Sequence, residues 1–445
     1  MGVAPLGRQS RSLACAVVVL GLASCTLLTN LDGLSGGAGG AKDDAGVSDG
    51  PAGADGASGS GVFTDDRLEG EFGAGTFSGT RWVGDHVELE PGKTSGDFVS
   101  RVFDSGASRL QWRTLRWGPG APYGKPLPDR GAAETGYRAS SFDMAKNVLL
   151  AHFDDSIVDT SPTANVLTGS SLGGFVPGVF GSGLSDTQQG YVHATVTSAA
   201  SVFNFGTDSF SWSLWAKSTT PCPGNAVYMG IENPGTGLKP HLWLGCTPLG
   251  DAGSSGTLGD TFCSTRTTTN DCADVTGSRV LTDGTWHHMA IVKAGHAPAT
   301  LSAYMDGVLQ GTTQNTYANP IVFQNGVELA IGGFSLGTYP ADGVFDEAAI
   351  WRRALTPDEI VALYRRGAQR LTIQVRACQE PTCASVAFVG PGGDSARAFV
   401  DPANALGPPE GLPLIETGQF AQYRVHFETD DPSRSPALYE VTLAP

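Results

Sequence analysis

The sequence predicts an all-β protein of sandwich architecture, with one short helix and a disordered N-terminal tether. Three observations predict it. Gly (61) and Pro (27) make about a fifth of the 445 residues, which argues against a helical bundle and for many short strands joined by turns. Short runs of alternating apolar and polar residues recur between turn residues through the middle of the chain, the signature of half-buried strands. One late segment, from Thr356 to Gly367, carries paired start and stop signals for a helix.

Composition narrows the function. Lys and Arg number 28 against 44 Asp and Glu, a net charge of −16, and the pI is near 4.8. Nucleic acid is therefore an unexpected partner, because phosphate binding needs a basic face. Hydrophobic residues at 40% and aromatics at 9% suffice for a core, and the length allows two or three domains. Past the N-terminus no apolar run approaches the ~18–20 residues of a membrane-spanning helix.

The first residues read as an address. Arg8 and Arg11 precede an apolar run from Leu13 to Leu22, too short to span a bilayer and built like a secretory h-region. It ends in Leu22-Ala23-Ser24-Cys25, which resembles the lipobox of bacterial lipoproteins. The resemblance implies a signal peptide over 1–24, lipidation of the Cys25 thiol, and attachment to the membrane through that lipid only. Thr26 follows the cysteine, and by the same resemblance delivery is to the outer membrane or cell surface. After Cys25, in the stretch 25–61, the sequence from Leu31 to Gly61 is mostly Gly, Ala, Ser and Asp with almost no apolar bulk. Such a stretch buries too little surface to offset chain entropy and is expected to be a flexible linker.

Six cysteines remain past the signal: Cys222, Cys246, Cys263, Cys272, Cys378 and Cys383. An even count in an exported chain favours disulfides, and sequence alone leaves the connectivity open. Proximity suggests Cys378–Cys383, Cys263–Cys272 and Cys222–Cys246. Zinc is disfavoured, since no pair has CxxC spacing and no His sits at finger spacing.

The strand candidates follow in order. Val148–Phe153 is the first. In Phe210–Ala216, residues Phe210, Trp212, Leu214 and Ala216 share one face. Trp286–Val292 is next. Leu301–Met305 runs into Asp306-Gly307 and then Val308-Leu309, a tight hairpin. Val327–Gly333 and Gly343–Trp351 complete the series. A helix starts with Thr356 as N-cap, Pro357 at the first turn and Glu359 closing a capping box, and stops at Gly367.

Six motifs then fall in a characteristic order: Phe180-Gly181-Ser182-Gly183-Leu184, Asp208–Trp215, Gly284–His288, Tyr304–Gly307, Ile331-Gly332-Gly333 and Phe345–Ile360. Together they resemble the laminin-G-like jellyroll of the concanavalin A-like superfamily, over residues 147–370. One departure is the long Gly/Thr/Ser/Cys-rich stretch from Pro221 to Gly277. Long loops on a rigid sandwich are frequent sites of binding.

The flanks read as one domain cut in two. Phe98–Gly106 and Leu110–Trp117 lie before the jellyroll; Leu371–Cys378, Phe420–Phe427 and Ser435–Leu443 lie after it. They resemble the strands of a single β-sandwich of bacterial surface proteins. The jellyroll is therefore expected to be inserted in a second, split β-sandwich made of 62–146 and 371–445. Insertion requires the guest's ends to lie close, as they do if its first strand pairs with the strand before the helix.

Catalysis is not expected. Glycosidases need two carboxylates set across a sugar. Glu88 and Glu90 sit beside Pro91-Gly92, and Asp346 and Glu347, being adjacent on a strand, are expected on opposite faces. His287 and His288 are expected to face core and solvent in turn. No nucleophile elbow, phosphate loop or dinucleotide fingerprint is present. The jellyroll resemblance implies one structural calcium ion near the paired first and last strands, with Asp154, Asp155 and Asp346 as ligands and Asp159 nearby; exposed turn-forming acids are the alternative. The functional expectation is a surface-tethered, non-catalytic binding module that recognises carbohydrate or an extracellular protein through jellyroll loops. Trp243, Tyr228 and Tyr339 are candidate aromatic platforms. The alternative is a structural or adhesive envelope protein, and after that a glycan-active enzyme.

Overall fold

A computed structural model describes residues 63–65, 70–139, 141–187, 190–220, 222, 226–235, 239–247, 257–263, 272–315, 319–333, 339–403 and 418–445. The expected signal peptide over 1–24, Cys25 and all of the expected linker 25–61 lie outside them. Among the described residues, no helix is long and apolar enough to cross a membrane.

The jellyroll is two sheets face to face. In spatial order the first holds Phe175–Pro177, Ser182–Thr187, Asp342–Trp351, Phe210–Lys217, Trp286–Gly295, Ala299–Met305 and Val308–Asn315. The second holds Cys272–Val280, Thr257–Cys263, His241–Thr247, Ala226–Glu232, Glu328–Ile331, Tyr191–Thr195 and Thr168–Ser170. Phe210, Trp212, Leu214 and Ala216 all enter the core between the sheets, as their alternation predicts. Each large side chain buried there contributes about 1.5–3 kcal/mol. The hairpin turn forms at Asp306 (φ 53°) and Gly307 (φ 73°), with Met305 opposite Val308. Two positive φ angles match the right-handed strand twist.

The helix spans Pro357–Ala368 and has the full capping box. The Glu359 amide donates to Thr356 Oγ1 at 3.3 Å, and the Thr356 amide donates to Glu359 Oε2 at 2.8 Å. It does not stop at Gly367 but runs one residue further, straight into the strand Gln369–Cys378. Gly367 has a packing role instead. A Cβ there would lie 2.6 Å from Cζ2 of Trp215, so only glycine lets the helix approach the sheet this closely.

The helix lies on the outer face of the first sheet. Beside it runs a strap from the N-terminal flank, which sets Leu127, Phe142 and Met144 against Ala290, Val292, Trp351, Ile360 and Leu363. By packing, the flank's apolar contribution to its own sandwich extends to Tyr123. The strap bridges the two units: Leu127, Phe142 and Met144 pack on the jellyroll, while the amides of Arg138 and Ala139 donate to the Pro119 and Gly120 carbonyls of the sandwich.

The two flanks form one further sandwich. One sheet joins Phe63–Asp65, Thr80–Trp82, Val87–Leu89 and Thr114–Pro119 to Leu438–Ala444. The other joins Thr76–Ser78, Ser95–Val99 and Phe103–Asp104 to Gln369–Cys378 and Phe420–Thr429. Phe98, Trp112 and Leu115 share a core with Ile373, Tyr423, Val425 and Val441. The guest's first strand, Asn147–Ala151, pairs with Asp342–Trp351, which brings its ends together for insertion.

Cys378–Cys383 and Cys222–Cys246 are disulfide-bonded. Cys263 and Cys272 are directly opposed in backbone register; their side chains lie outside the described set. Replacing Cys378 and Cys383 together with alanine opens a short loop and thins the small cluster they form with Phe420, Val102 and Val386. It is expected to lower stability by about 2 kcal/mol, the chain entropy released by opening so short a loop. Chemical denaturation measures it, and an unchanged midpoint would contradict the expectation.

Candidate functional site

The candidate site is the outer face of the second jellyroll sheet. Val192, Ala194, Leu329, Ile331, Met229, Ile231, Leu242 and Leu244 point into the core. Their strand neighbours therefore point out: Tyr191, His193, Glu328, Ala330, Gly230, Glu232, His241 and Trp243. Register aligns four of these in one row across the sheet. His193 is opposite Ala330, Ala330 opposite Gly230, and Gly230 opposite Trp243. Three inter-strand steps put the two rings roughly 14 Å apart. The two residues between them are the smallest available, and both are buried, so the row is a small-residue strip between aromatic ends.

The ends are paired rings. His241 and Trp243 have centroids 4.6 Å apart, Trp243 and Tyr339 4.8 Å, and Tyr191 and His193 5.1 Å. Tyr339 is 38% exposed and sits at φ 53°. Polar groups lie between and beside the rings. Glu328 Oε1 is 3.5 Å from His193 Nε2, and Glu232 is ion-paired with Lys239.

Hydrogen-bonding capacity is left over on this face. His193 Nδ1, His241 Nε2 and Glu328 Oε2 are buried and have no partner among the described residues. Such atoms are rare and call for an explanation. Burial holds the His241 ring below the usual histidine range, against the opposing pull of the Lys239 carbonyl and nearby acids, so the ring is neutral at pH 7. Its Nδ1 lies 3.0 Å from the Lys239 carbonyl oxygen. A carbonyl only accepts, so the proton is on Nδ1 and Nε2 offers a lone pair. The face thus carries aromatic rings, of which Tyr339 is exposed, and buried acceptors that lack donors among the described residues.

The residues singled out in the sequence fall in different places. Trp243 and Tyr339 belong to this face. Tyr228 does not: it is 2% exposed and packs edge-on against Phe345 in the core. His193, His241, Gly230 and Ala330 carried no sequence signal, because their role depends on register across distant strands.

The acids proposed for calcium clasp backbone. Asp346 Oδ2 accepts from the amides of Val179 (2.7 Å) and Phe180 (3.0 Å). From the same turn, the Ser182 amide donates to Asp154 Oδ1 at 2.8 Å and its hydroxyl to Asp155 Oδ1 at 2.9 Å. A Cβ on Gly181 would fall 2.1 Å from Asp154 Oδ1, so the turn is held tightly. Asp159 accepts from the amides of Leu150, Ser161 and Asn165. Among the described residues, no three Asp, Glu, His or Cys side chains form a group that could hold a metal. The chain itself thus engages Asp154, Asp155, Asp159 and one oxygen of Asp346, while Asp346 Oδ1 is buried without a partner among the described residues.

Two sequence expectations are corrected. Asp346 and Glu347 do not point to opposite faces. The register against Phe210–Lys217 shifts between Ser213 and Trp215, and Glu347 adopts φ 51°. This bulge leaves Phe345 and Ala348 in the core and turns both acids outward. Glu347 then binds His152 and accepts from the Leu127 amide at 3.0 Å. The void beside it, under the helix and Trp215, is about 10 Å³, with room for a single water and no sugar. His287 and His288 are both buried, 7% and 0% exposed. Asp306 in the hairpin turn takes His287 Nδ1 at 2.9 Å, and His288 Nε2 lies 2.8 Å from Ser213 Oγ.

Comparison with known proteins adds the following. Part of the chain is similar in fold to domain 4 of AbnA, an extracellular arabinanase from Geobacillus stearothermophilus solved with arabinotriose (18% identity, TM-score 0.35, 49% of this chain and 98% of that one). It is also similar to the binding domain of Paraclostridial Mosquitocidal Protein 1 (12%, TM-score 0.38, 57% and 67%). A third similarity is to the binding domain of botulinum neurotoxin DC in complex with SialylT (15%, TM-score 0.37, 52% and 57%). These likenesses are of fold alone. No curated protein matches the sequence. Residues 186–361 match the family model of the concanavalin A-like lectin/glucanases superfamily.

Proposed function

We propose that the protein is a surface-tethered, non-catalytic binding module that holds a carbohydrate chain on the outer face of the second jellyroll sheet. One observation carries the reading: the row His193–Ala330–Gly230–Trp243, a small-residue strip between aromatic ends. Sugar rings present apolar C–H faces that stack on Trp243 and Tyr339. Their hydroxyls donate to acceptors such as His241 Nε2 and Glu328 Oε2, which are otherwise buried without partners. In this reading Cys25 carries the lipid, residues 25–61 hold the module off the membrane, and the split sandwich is its mount.

The test is a glycan array probed with the wild type and with Trp243→Ala, each with calcium and with chelator. Saturable binding to one sugar class is expected, unchanged by chelator. Trp243→Ala is expected to weaken it about tenfold or more, the worth of one stacked ring, with an unchanged melting temperature. His241→Phe keeps the ring and loses the acceptor, and is expected to fall between the two. Sugar binding that ignores Trp243→Ala would sink the assignment of this face. Binding confined to an envelope protein would favour the extracellular-protein reading.

A further inference from the structure

We propose a second binding site, on the split sandwich: a groove for a chain of acidic sugars, lined by Arg376, Arg397 and Arg424 around Phe388. Strands Gln369–Cys378 and Phe420–Thr429 lie side by side, with Gln374 opposite Arg424 and Arg376 opposite Gln422. Ile373, Val375, Tyr423 and Val425 fill the core, so the alternate residues Gln374, Arg376, Gln422 and Arg424 face outward. A segment following the first strand folds back along it through bridges Val375–Val389 and Ile373–Phe399. The Gln374 amide nitrogen ties that segment down by donating to the Ser395 carbonyl (3.0 Å) and the Arg397 carbonyl (2.6 Å).

This brings three guanidinium groups to one groove. The Arg376 and Arg424 guanidinium carbons lie over the same Phe388 ring, 4.3 and 5.2 Å from its centroid. Stacking of this kind fixes the guanidinium plane. Arg376 Nε and Nη2 share Gln422 Oε1 and Nη1 donates to the Val386 carbonyl, so one N–H on each Nη remains for an anion. Their hydrogen bonds go to neutral acceptors. Arg376 donates to Gln422 Oε1 at 3.0 Å and to the Val386 carbonyl at 2.9 Å, and Arg424 donates to Gln374 Oε1. Among the described residues none of the three makes an ion pair, although other arginines of this acidic chain do, such as Arg366 and Arg370. Burial first, and then the like charge of Arg424, hold the Arg376 guanidinium below the usual arginine range, against the pull of Glu380. A bound anion would relieve that repulsion.

The shape selects a polymer. Two cavities of about 340 and 530 Å³ share Arg424 in their linings. One also takes in Arg397 and His426, and the other Arg376 and Phe388. His426 is paired with Asp97, at 3.1 Å, the one carboxylate lining either cavity. A small anion reaches one cavity and two guanidiniums at most; a chain spanning both reaches all three. Between the charges are Thr372, Gln374, Ser385 and Ser395, which suit hydroxyl groups, and the Phe388 ring.

The test titrates the full chain with polygalacturonate, dextran sulfate, neutral dextran, galacturonic acid and single-stranded DNA at about 50 and about 200 mM salt. Polygalacturonate or dextran sulfate is expected to bind, and neutral dextran not. Affinity is expected to fall about tenfold between the two salt concentrations, as befits roughly three charge contacts. Arg424→Gln and the exposed Arg397→Gln are each expected to lose about tenfold in affinity; Arg397→Gln tests the site even if Arg424→Gln disturbs the sheet. Trp243→Ala is expected to bind acidic sugars normally, which separates this site from the jellyroll face. The proposal is overturned if neutral dextran binds equally, if Arg424→Gln combined with Arg397→Gln binds undiminished, or if Trp243→Ala abolishes the binding. Tighter binding of galacturonic acid per charge, or of DNA, would overturn it as well.

Discussion

Replacing Glu134 with alanine is expected to destabilise the protein by about 3–5 kcal/mol, the cost of leaving a buried charge without its partner. Glu134 lies on the strap and Arg366 on the helix. Their side chains are 2% and 4% exposed, and the pair is bidentate, at 2.7 and 2.9 Å. Arg366 also donates to the Lys125 carbonyl at 3.1 Å and to the Pro126 carbonyl. The guanidinium therefore cannot swing to water without releasing the strap and uncovering Leu127, Phe142 and Met144. A surface pair gives the contrast. Arg81 and Glu88 are 47% and 23% exposed, and Glu88→Ala is expected to cost less than about 1 kcal/mol. The double variant Glu134→Leu, Arg366→Met is expected to recover much of the loss, since well-packed apolar residues replace a buried pair at little cost. Urea denaturation of the four proteins measures this. A loss below about 1 kcal/mol for Glu134→Ala would show that the strap is not held by this pair.

Short-range chemistry was legible in the sequence, and long-range packing was not. Thr356, Pro357 and Glu359 mark the helix start because a capping box is local. Asp306-Gly307 marks its hairpin because only the turn's own φ angles matter. Cys378 and Cys383 find each other because they are neighbours. Gly367 misleads, since a glycine near a helix end reads as a stop signal, and its actual partner is Trp215. The bulge at Glu347 has no sequence mark, because a non-glycine residue is held at positive φ by the surrounding sheet. The site divides the same way. Trp243 and Tyr339 could be named as aromatics, but the strip needs His193, Gly230 and Ala330, and only the register of four strands brings these together.

Asp346→Asn is expected to change the pH dependence of stability strongly between pH ~4 and ~8. Burial, and then the neighbouring charge of Glu347, push the Asp346 carboxyl up to about 8, against the pull of its backbone amides. Unfolded, it titrates near 3.8. Between these values the folded protein holds a proton that the unfolded chain has released. Stability from this group is therefore complete below pH ~4 and falls by about 1.4 kcal/mol per pH unit up to pH ~8. His288 acts in the opposite sense. Burial lowers it to about 4 from 6.5, so the unfolded chain binds the extra proton. Its contribution is complete above pH ~6.5 and is lost as pH falls towards 4. Between pH ~4 and ~6.5 the two slopes nearly cancel. From ~6.5 to ~8 the loss from Asp346 stands, and His152 adds to it. Hydrogen bonds and charge from Glu347 and Asp129 outweigh burial there and raise that ring to about 9. In Asp346→Asn the amide oxygen still accepts from Val179 and Phe180, and no carboxylate has to form under the helix. Relative to wild type the variant is expected to gain nothing near pH 4 and to gain steadily up to pH 8. It should also expose the acid limb of His288, a fall of about 3 kcal/mol from pH 6.5 to 4. Denaturation midpoints across this range for both proteins decide it, and parallel curves would mean that Asp346 ionises freely in the folded state.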